Sequence, residues 1–375
     1  MRIIYNFRYK MSRIKIYLLL ALCVILPMSR LSAQDSAKLL AGVDFDTYFY
    51  NSEYSGMQIG ESQTLFSSRL TPKIGLEWEE KNQLMVAIDM LSNFGQNNVA
   101  FDKVRPQIYY RFSAPKVRAY AGIFSREEMI GDYSDIFLSD STRFYDNRVQ
   151  GFMGQYIGNR AHAELSIDWC GMFSYHSREK FRILSSGRYY LDRYHKRFYA
   201  GYALQLFHYA GSEQIQGCVV DNIIINPFLG TRFNAWADFD LKLHYIQTMQ
   251  RDRSVEQSMR TPRGAMLEAK ISKWGVYIDE QIYFGDNLQP YYSHSKHRGF
   301  EMGYGSDLYA GERFFGTEGG IYNSTEIGYA NSFFNQTVSV NAYIALQNDG
   351  YKWGTKQVVQ LSIKLLKDIR LTKKK

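Results

Sequence analysis

Charged side chains recur at every second position along several segments of this 375-residue sequence. In "AHAELSIDW", residues 161–169, Glu164 and Asp168 share one face of the alternation. Ala161, Ala163, Leu165, Ile167 and Trp169 share the other. The same spacing sets Arg69 with Lys73 and Arg105 with Arg111, and places Arg118, Asp238, Asp240, Glu268, Asp279 and Glu326 on polar faces of further segments. Rows of this kind suit a wetted wall, where opposed charges order water and favour dipolar solutes. Groups suited to covalent or metal chemistry are scarcer. No G-x-S-x-G, Walker A, G-x-G-x-x-G or H-E-x-x-H spacing occurs. "HSKH" offers His294 and His297 with no cysteine nearby, which reads as loop surface rather than a metal site. No spacing singles out one Ser–His pair, so the expectation is a protein that is not an enzyme and needs no cofactor.

The N-terminus reads as an export signal over residues 1–33. Arg13 and Lys15 form a basic n-region, an apolar run covers 16–28, and Leu31-Ser32-Ala33 suits cleavage. Met11 is an equally good start. Removing this segment takes six basic residues and no acidic ones, so the net charge falls from +8 to +2. The high pI therefore belongs largely to the signal, and no nucleic-acid partner is implied. Residues 34–375 hold no apolar run of the ~20 residues a spanning helix requires. Membrane passage after export would have to use strands.

The elements that must position the charges are strands. Period-two alternation recurs from residue 42 to residue 366 in sixteen segments, clearest in "VRPQIYYRF", "ADFDLKLHY", "VSVNAYIAL" and "VVQLSIKL". After every even strand the link is short, as in "EEKN", "SAPK" and "GNR". After most odd strands it is long, as in "SREEMIGDYSDIFLSDSTRFYDN" and the stretch 285–319. That rule puts tight turns at one end of the sheet and long loops at the other. Aromatics gather near strand ends, among them Tyr48, Trp78, Tyr110, Trp169, Tyr189 and Trp274, as interfacial girdles require. A sheet in hydrocarbon must also close, because each unpaired backbone group there costs several kcal/mol.

With these features the chain resembles the bacterial outer-membrane β-barrels, and within them the general porins of sixteen strands. The resemblance is architectural and covers residues 42–366. It implies an all-β, antiparallel, up-and-down transmembrane barrel in the outer membrane, in contact with the lipid bilayer, that passes small polar solutes by diffusion. Oligomeric state is left open. Two other classes stay open as well, a closed barrel whose external loops bind a partner and a lipid-modifying barrel enzyme. One departure is the end of the chain, "IKLLKDIRLTKKK", where such barrels usually finish on an aromatic residue.

In this frame the apolar set of each strand faces lipid and the polar set lines the lumen. A basic wall of Arg69, Lys73, Arg105, Arg111 and Arg118 then faces a mostly acidic one of Glu164, Asp168, Asp238, Asp240, Glu268, Asp279 and Glu326. The plain reading of 125–147 is an external loop. In the general porins the corresponding loop folds inward, and the resemblance then places Glu127, Glu128, Asp132 and Asp135 opposite Arg105, Arg111 and Arg118. The Tyr- and Phe-rich stretch 285–319 is expected to pack on itself as a lid. Cys170 and Cys218 fall at the external rim on strands three neighbours apart, each step ~4.8 Å, so a disulfide between them is not expected.

Overall fold

The computed structural model describes residues 37–370, apart from 96–99, 193, 215–218, 294–295, 298–299 and 302. Sixteen antiparallel strands form a closed barrel. They are β1 (Lys38–Glu53), β2 (Gln63–Trp78), β3 (Asn82–Asn93), β4 (Lys103–Ala114), β5 (Val117–Ser125), β6 (Arg148–Ile157), β7 (Ala161–Gly171) and β8 (Lys180–Tyr190). The second half comprises β9 (Phe198–Tyr209), β10 (Val220–Asn234), β11 (Asp238–Asp252), β12 (Arg263–Lys273), β13 (Val276–Gly285), β14 (Ile321–Phe333), β15 (Val338–Asn348) and β16 (Trp353–Arg370). Each strand pairs with its neighbours in sequence. β16 also returns to β1, with Lys38 opposite Arg370 and Tyr48 opposite Gln360. No edge is left unpaired, as hydrocarbon demands.

The alternation in the sequence becomes the two faces of the wall. On β7, Leu165, Ile167 and Trp169 are exposed while Glu164, Ser166 and Asp168 are buried. A soluble protein turned this way would be inside out, and the outward band of Leu204, Leu229, Leu243, Ile278, Ile327 and Ile344 continues around the barrel. So large an apolar surface needs a bilayer to cover it. Trp236, Trp274 and Phe334 stand at the short turns, where they mark one interface. Those turns are tight enough to push Glu79, Glu80, Trp274, Phe334 and Asn335 to positive φ, the twist that two-residue hairpins favour.

One pair of glycines shapes the wall beside the long 126–147 link. Gly122 on β5 (φ +120°) faces Gly151 on β6 (φ +155°) across the ladder. A Cβ on Gly122 would lie 2.3 Å from the carbonyl oxygen of Ile108, which is backbone and cannot swing away. Gly122→Ala should therefore destabilise the barrel by about 1–3 kcal/mol. Gly154→Ala on β6, with nothing within 4 Å of its added carbon, should be close to neutral. Urea unfolding of the two variants in detergent checks the contrast.

Candidate functional site

The long link between β5 and β6 is not an external loop. It turns into the lumen at Arg126, whose guanidinium is buried among four acceptors. Its Nη2 donates to Asp168 Oδ2 at 2.9 Å and to the Arg148 carbonyl at 2.9 Å, and lies 3.3 Å from Asp146 Oδ2. Its Nε donates to the Asp146 carbonyl at 2.9 Å. The link then crosses the barrel. The Ile130 amide donates to Glu164 (2.7 Å), the Asp132 amide to Ser186 (2.8 Å), and Ser134 reaches Asn226 (3.3 Å). Its short helix α1 (Asp140–Tyr145), capped by Ser139, ends on the opposite wall. There Ser141 meets Tyr48, Tyr145 meets Ser67, and Tyr343 donates to Asp140.

Apolar residues explain why it stays. Ile136, Phe137 and Leu138 are buried together with Tyr54, Met57 and Ile59 of the 54–62 loop and Leu288, Phe314 and Phe315 of the 286–320 loop. Phe314 stacks on Tyr322, ring centres 3.6 Å apart. Backbone bonds stitch the two long loops to each other, Ser139 to Ala310 (2.8 Å) and Glu312 to Asp135 (2.7 Å). Burying side chains of this size stabilises by about 1.5–3 kcal/mol each. The outer half of the lumen is thus a dry plug, and the 286–320 loop is a packed lid. Lys356 of β16, buried under it, lies 3.5 Å from Glu312.

Beneath the plug a cavity of about 400 Å3 is lined by Asp135, Asp140, His244, Glu268, Asp279 and Glu326, among others. Asp140, Ala330 and Asn341 are shared with a wider space of about 770 Å3 toward the short-turn end. Asp135 sits in this acidic roof. Burial, and then Asp140 and Glu312, push its carboxyl up to about 7. A raised carboxylate favours the folded state only while protonated, so its contribution is full in acid and fades between about pH 4 and pH 7. Hydrogen exchange across 130–145 should be slower at pH 5 than at pH 8, and Asp135→Asn should flatten the difference.

The charged residues expected to line the lumen mostly have partners. Arg69 meets Asp89 at 3.3 Å with both buried, and Lys73 meets Asp44 at 2.7 Å. Glu268 pairs with Lys242, Asp279 with Lys270 (3.1 Å), and Asp240 with Arg232 (2.6 Å). Asp238 accepts from Asn234 at 2.6 Å. Glu164 and Asp168 hold the inward link, as described. Among the described residues, Arg105, Arg111, Arg118 and Glu326 form no ion pair. Among the described residues, the four carboxylates of the inward link form no ion pair with these three arginines. Glu127 pairs with Lys364 (2.7 Å), Glu128 accepts from Tyr120 (2.8 Å), Asp132 meets Arg188 (2.5 Å), and Asp135 accepts from Gln281 (3.2 Å). Glu127 and Glu128 stay near β4 and β5, where they share a pocket with Gln107 and Tyr109, while Asp132 and Asp135 reach β8 and β13. Cys170 is a free thiol, whereas Cys218 and His294 lie outside the described residues, and His297 sits in a two-residue ladder with Phe300. No group of three metal-ligating side chains occurs among the described residues.

A second site lies on the outside of the barrel, and no spacing in the sequence pointed to it. Cross-strand register aligns Trp169, Phe181, His208, Asp221 and Arg251 in one row across β7–β11, at the long-loop end. All five belong to the outward-facing set. The Trp169 and Phe181 rings stack at 5.4 Å, and Phe181 stacks on the His208 imidazole at 5.0 Å. His208 Nδ1 is 3.9 Å from Asp221 Oδ1. Asp221 accepts from Arg253 twice, at 2.8 and 3.0 Å, and lies 3.6 Å from Arg251. The side chain of Arg253 is half exposed and those of His208 and Arg251 are partly so. An imidazole beside a carboxylate, flanked by two guanidinium groups, can take up a proton and stabilise an adjacent anion.

The sequence model of a family described as lipid A 3'-O-deacylase-type matches residues 31–371. Among solved structures, OpdL of Pseudomonas aeruginosa superposes with a TM-score of 0.50 at 8% identity, over 89% of this chain and 99% of that one. OccAB4 of Acinetobacter baumannii gives 0.48 at 8% identity, over 89% and 99%. A variant of an Rh. blastica porin gives 0.42 at 14% identity, over 87% and 100%. These likenesses are of fold alone, and they are to outer-membrane barrels. No curated protein matches the sequence. The family match corrects the expectation that the chain is not an enzyme. Missing linear motifs say nothing about a site that strands assemble side by side.

Proposed function

The chain belongs to the lipid A 3'-O-deacylase-type family, and from that premise we propose that it is an outer-membrane hydrolase. Its substrate would be a lipid A-type glycolipid, from which it releases one ester-linked acyl chain at the outer rim. The observation that carries this reading is the outward row of His208, Asp221, Arg251 and Arg253 at the level of the girdle residue Trp169. A glycolipid in the outer leaflet brings its ester linkages to that depth and its phosphorylated sugars just above. His208, with the Asp221 carboxylate 3.9 Å from its Nδ1, takes a proton from water as the water attacks the ester carbonyl. A guanidinium of Arg251 or Arg253 holds the tetrahedral oxyanion. Collapse breaks the ester bond, and the departing sugar oxygen recovers the proton from His208. Mass spectrometry of lipid A incubated with the purified barrel in mixed micelles should show loss of one acyl chain and an equal yield of free fatty acid. An unchanged spectrum at high enzyme concentration sinks the reading.

A second reading rests on the lumen, as a passage for small polar solutes. It is favoured by Arg105, Arg111 and Arg118, which form no ion pair, and by Glu326, which forms none on the far wall. Single-channel conductance in planar bilayers tests it. Arg105→Glu with Arg111→Glu should shift selectivity toward cations, and a folded barrel with no conductance rules it out.

A further inference from the structure

A carboxylate stands in the middle of the lipid-facing wall. On β13 the inward set is Tyr277, Asp279, Gln281 and Tyr283, of which the first three line the 400 Å3 cavity. Ile278, Glu280, Ile282 and Phe284 therefore point outward, with Ile278 and Phe284 exposed. Glu280 lies six residues above the girdle residue Trp274 and four below Phe284. That is mid-strand, away from both headgroup regions. An ionisable side chain at such depth is costly, and it marks a functional contact rather than plain lipid.

Two neighbours on β14 join it. The Thr325 hydroxyl donates to Glu280 at 2.5 Å, and the Asn323 amide donates to the other carboxylate oxygen. Both face outward, since Tyr322, Ser324 and Glu326 take the inward set of that strand. Among the described residues, Glu280 forms no ion pair. The carboxylate keeps open acceptor positions, and the Asn323 amide keeps a second N–H. Lipid offers no donor here, because its donors sit in the headgroups and the hydrocarbon holds none. The partner has to be a polypeptide, acting through side chains, since backbone groups within a bilayer are paired internally.

The surroundings point to which polypeptide. Ile271, Ile278, Ile327 and Ile344 stand in one register row across β12–β15. The next row up holds Ala269, Glu280, Thr325 and Leu346. Neither row carries an aromatic ring on these four strands, whereas Phe152, Trp169 and Phe198 project from the wall elsewhere. A level aliphatic ridge beside a cluster holding both acceptors and a donor is complementary to its own image.

We propose that the outer face of β12–β15 is the interface of a two-fold dimer of this chain within the membrane. With the axis along the membrane normal and beside β14, each Asn323 gives its second amide proton to Glu280 of the partner subunit. The isoleucine rows pack against each other below. The rim row of β7–β11 lies on other strands, so the dimer is independent of the acyl-release chemistry.

Sedimentation equilibrium in density-matched detergent tests it. The wild type should be a reversible dimer. Glu280→Leu with Asn323→Leu should raise the dissociation constant about tenfold or more, while keeping the heat-modifiable migration of a folded barrel. A wild type that stays monomeric overturns the proposal, as does a dimer that the folded double variant leaves unchanged. Oxidative crosslinking in bilayers, in a Cys170→Ser, Cys218→Ser background, adds a readout that leaves the cluster intact. Ile327→Cys should yield a covalent dimer. Phe152→Cys on β6, eight strands away around the barrel, should not. No crosslink through Ile327→Cys, an equal one through Phe152→Cys, or capture of a different protein at Ile327→Cys would each overturn the assignment.

Discussion

His208→Ala should lower acyl-chain release by about 10²–10⁴-fold, the range typical for loss of a positioned general base, and leave the barrel folded. The imidazole is partly exposed at the rim and its main packing contact is the Phe181 ring, so truncation removes little buried area. The substitution should act on kcat more than on KM, because the role proposed for His208 is proton transfer in the transition state. Arg253→Met is expected to lower kcat as well, by removing a guanidinium placed to hold the oxyanion. Asp221→Asn keeps a side chain of the same shape but removes the charge that faces both the imidazole and the Arg253 guanidinium. Its effect should approach that of His208→Ala. His244→Ala, placed in the lumen cavity, is the control and should retain activity. Full activity in His208→Ala would move the reaction away from this rim.

The barrel itself was legible because membrane physics writes it into every strand. Leu165, Ile167 and Trp169 alternate with Glu164, Ser166 and Asp168, and no soluble core is needed to interpret the pattern. The plug was half legible. "DIFLSD" carries three apolar residues in a row inside an otherwise charged loop, and such a run has to be buried somewhere. Its destination was not readable, since the partners come from remote strands, Asp140 meeting Tyr343 across 203 positions. The rim row was hidden for another reason. His208 and Asp221 lie on the outward set, which alternation assigns to lipid, and only the register of β9 on β10 sets them opposite each other. A slip of one residue between the two strands would turn one of them into the lumen and break the row. Register across the 210–219 link is a property of the folded sheet, not of either segment alone.

Arg126→Met should be the most damaging single change to the plug, destabilising by about 3–5 kcal/mol, the usual effect of stranding one member of a buried ion pair. Arg126 and Asp168 are each about 2% exposed in their side chains and 2.9 Å apart. The guanidinium also closes the root of the inward link by bonding the Asp146 and Arg148 carbonyls. Removing it leaves the Asp168 carboxylate one hydrogen-bond donor, the Gln150 amide (2.9 Å), with Arg182 opposite it across the ladder. The strands do not depend on this pair for their ladder, so the barrel should persist while residues 126–147 loosen. Proteolysis within 130–145 should accelerate, and conductance should rise as the plug unseats. Arg126→Met combined with Asp168→Leu separates charge from shape. If the stranded carboxylate is the main penalty, the double variant recovers stability relative to the single one, while the lost bonds to Asp146 and Arg148 keep the link mobile. A double variant as unstable as the single would instead assign the effect to those carbonyl bonds. In either case Arg126 pins the root of the link while Ile136, Phe137 and Leu138 hold its middle in the apolar cluster.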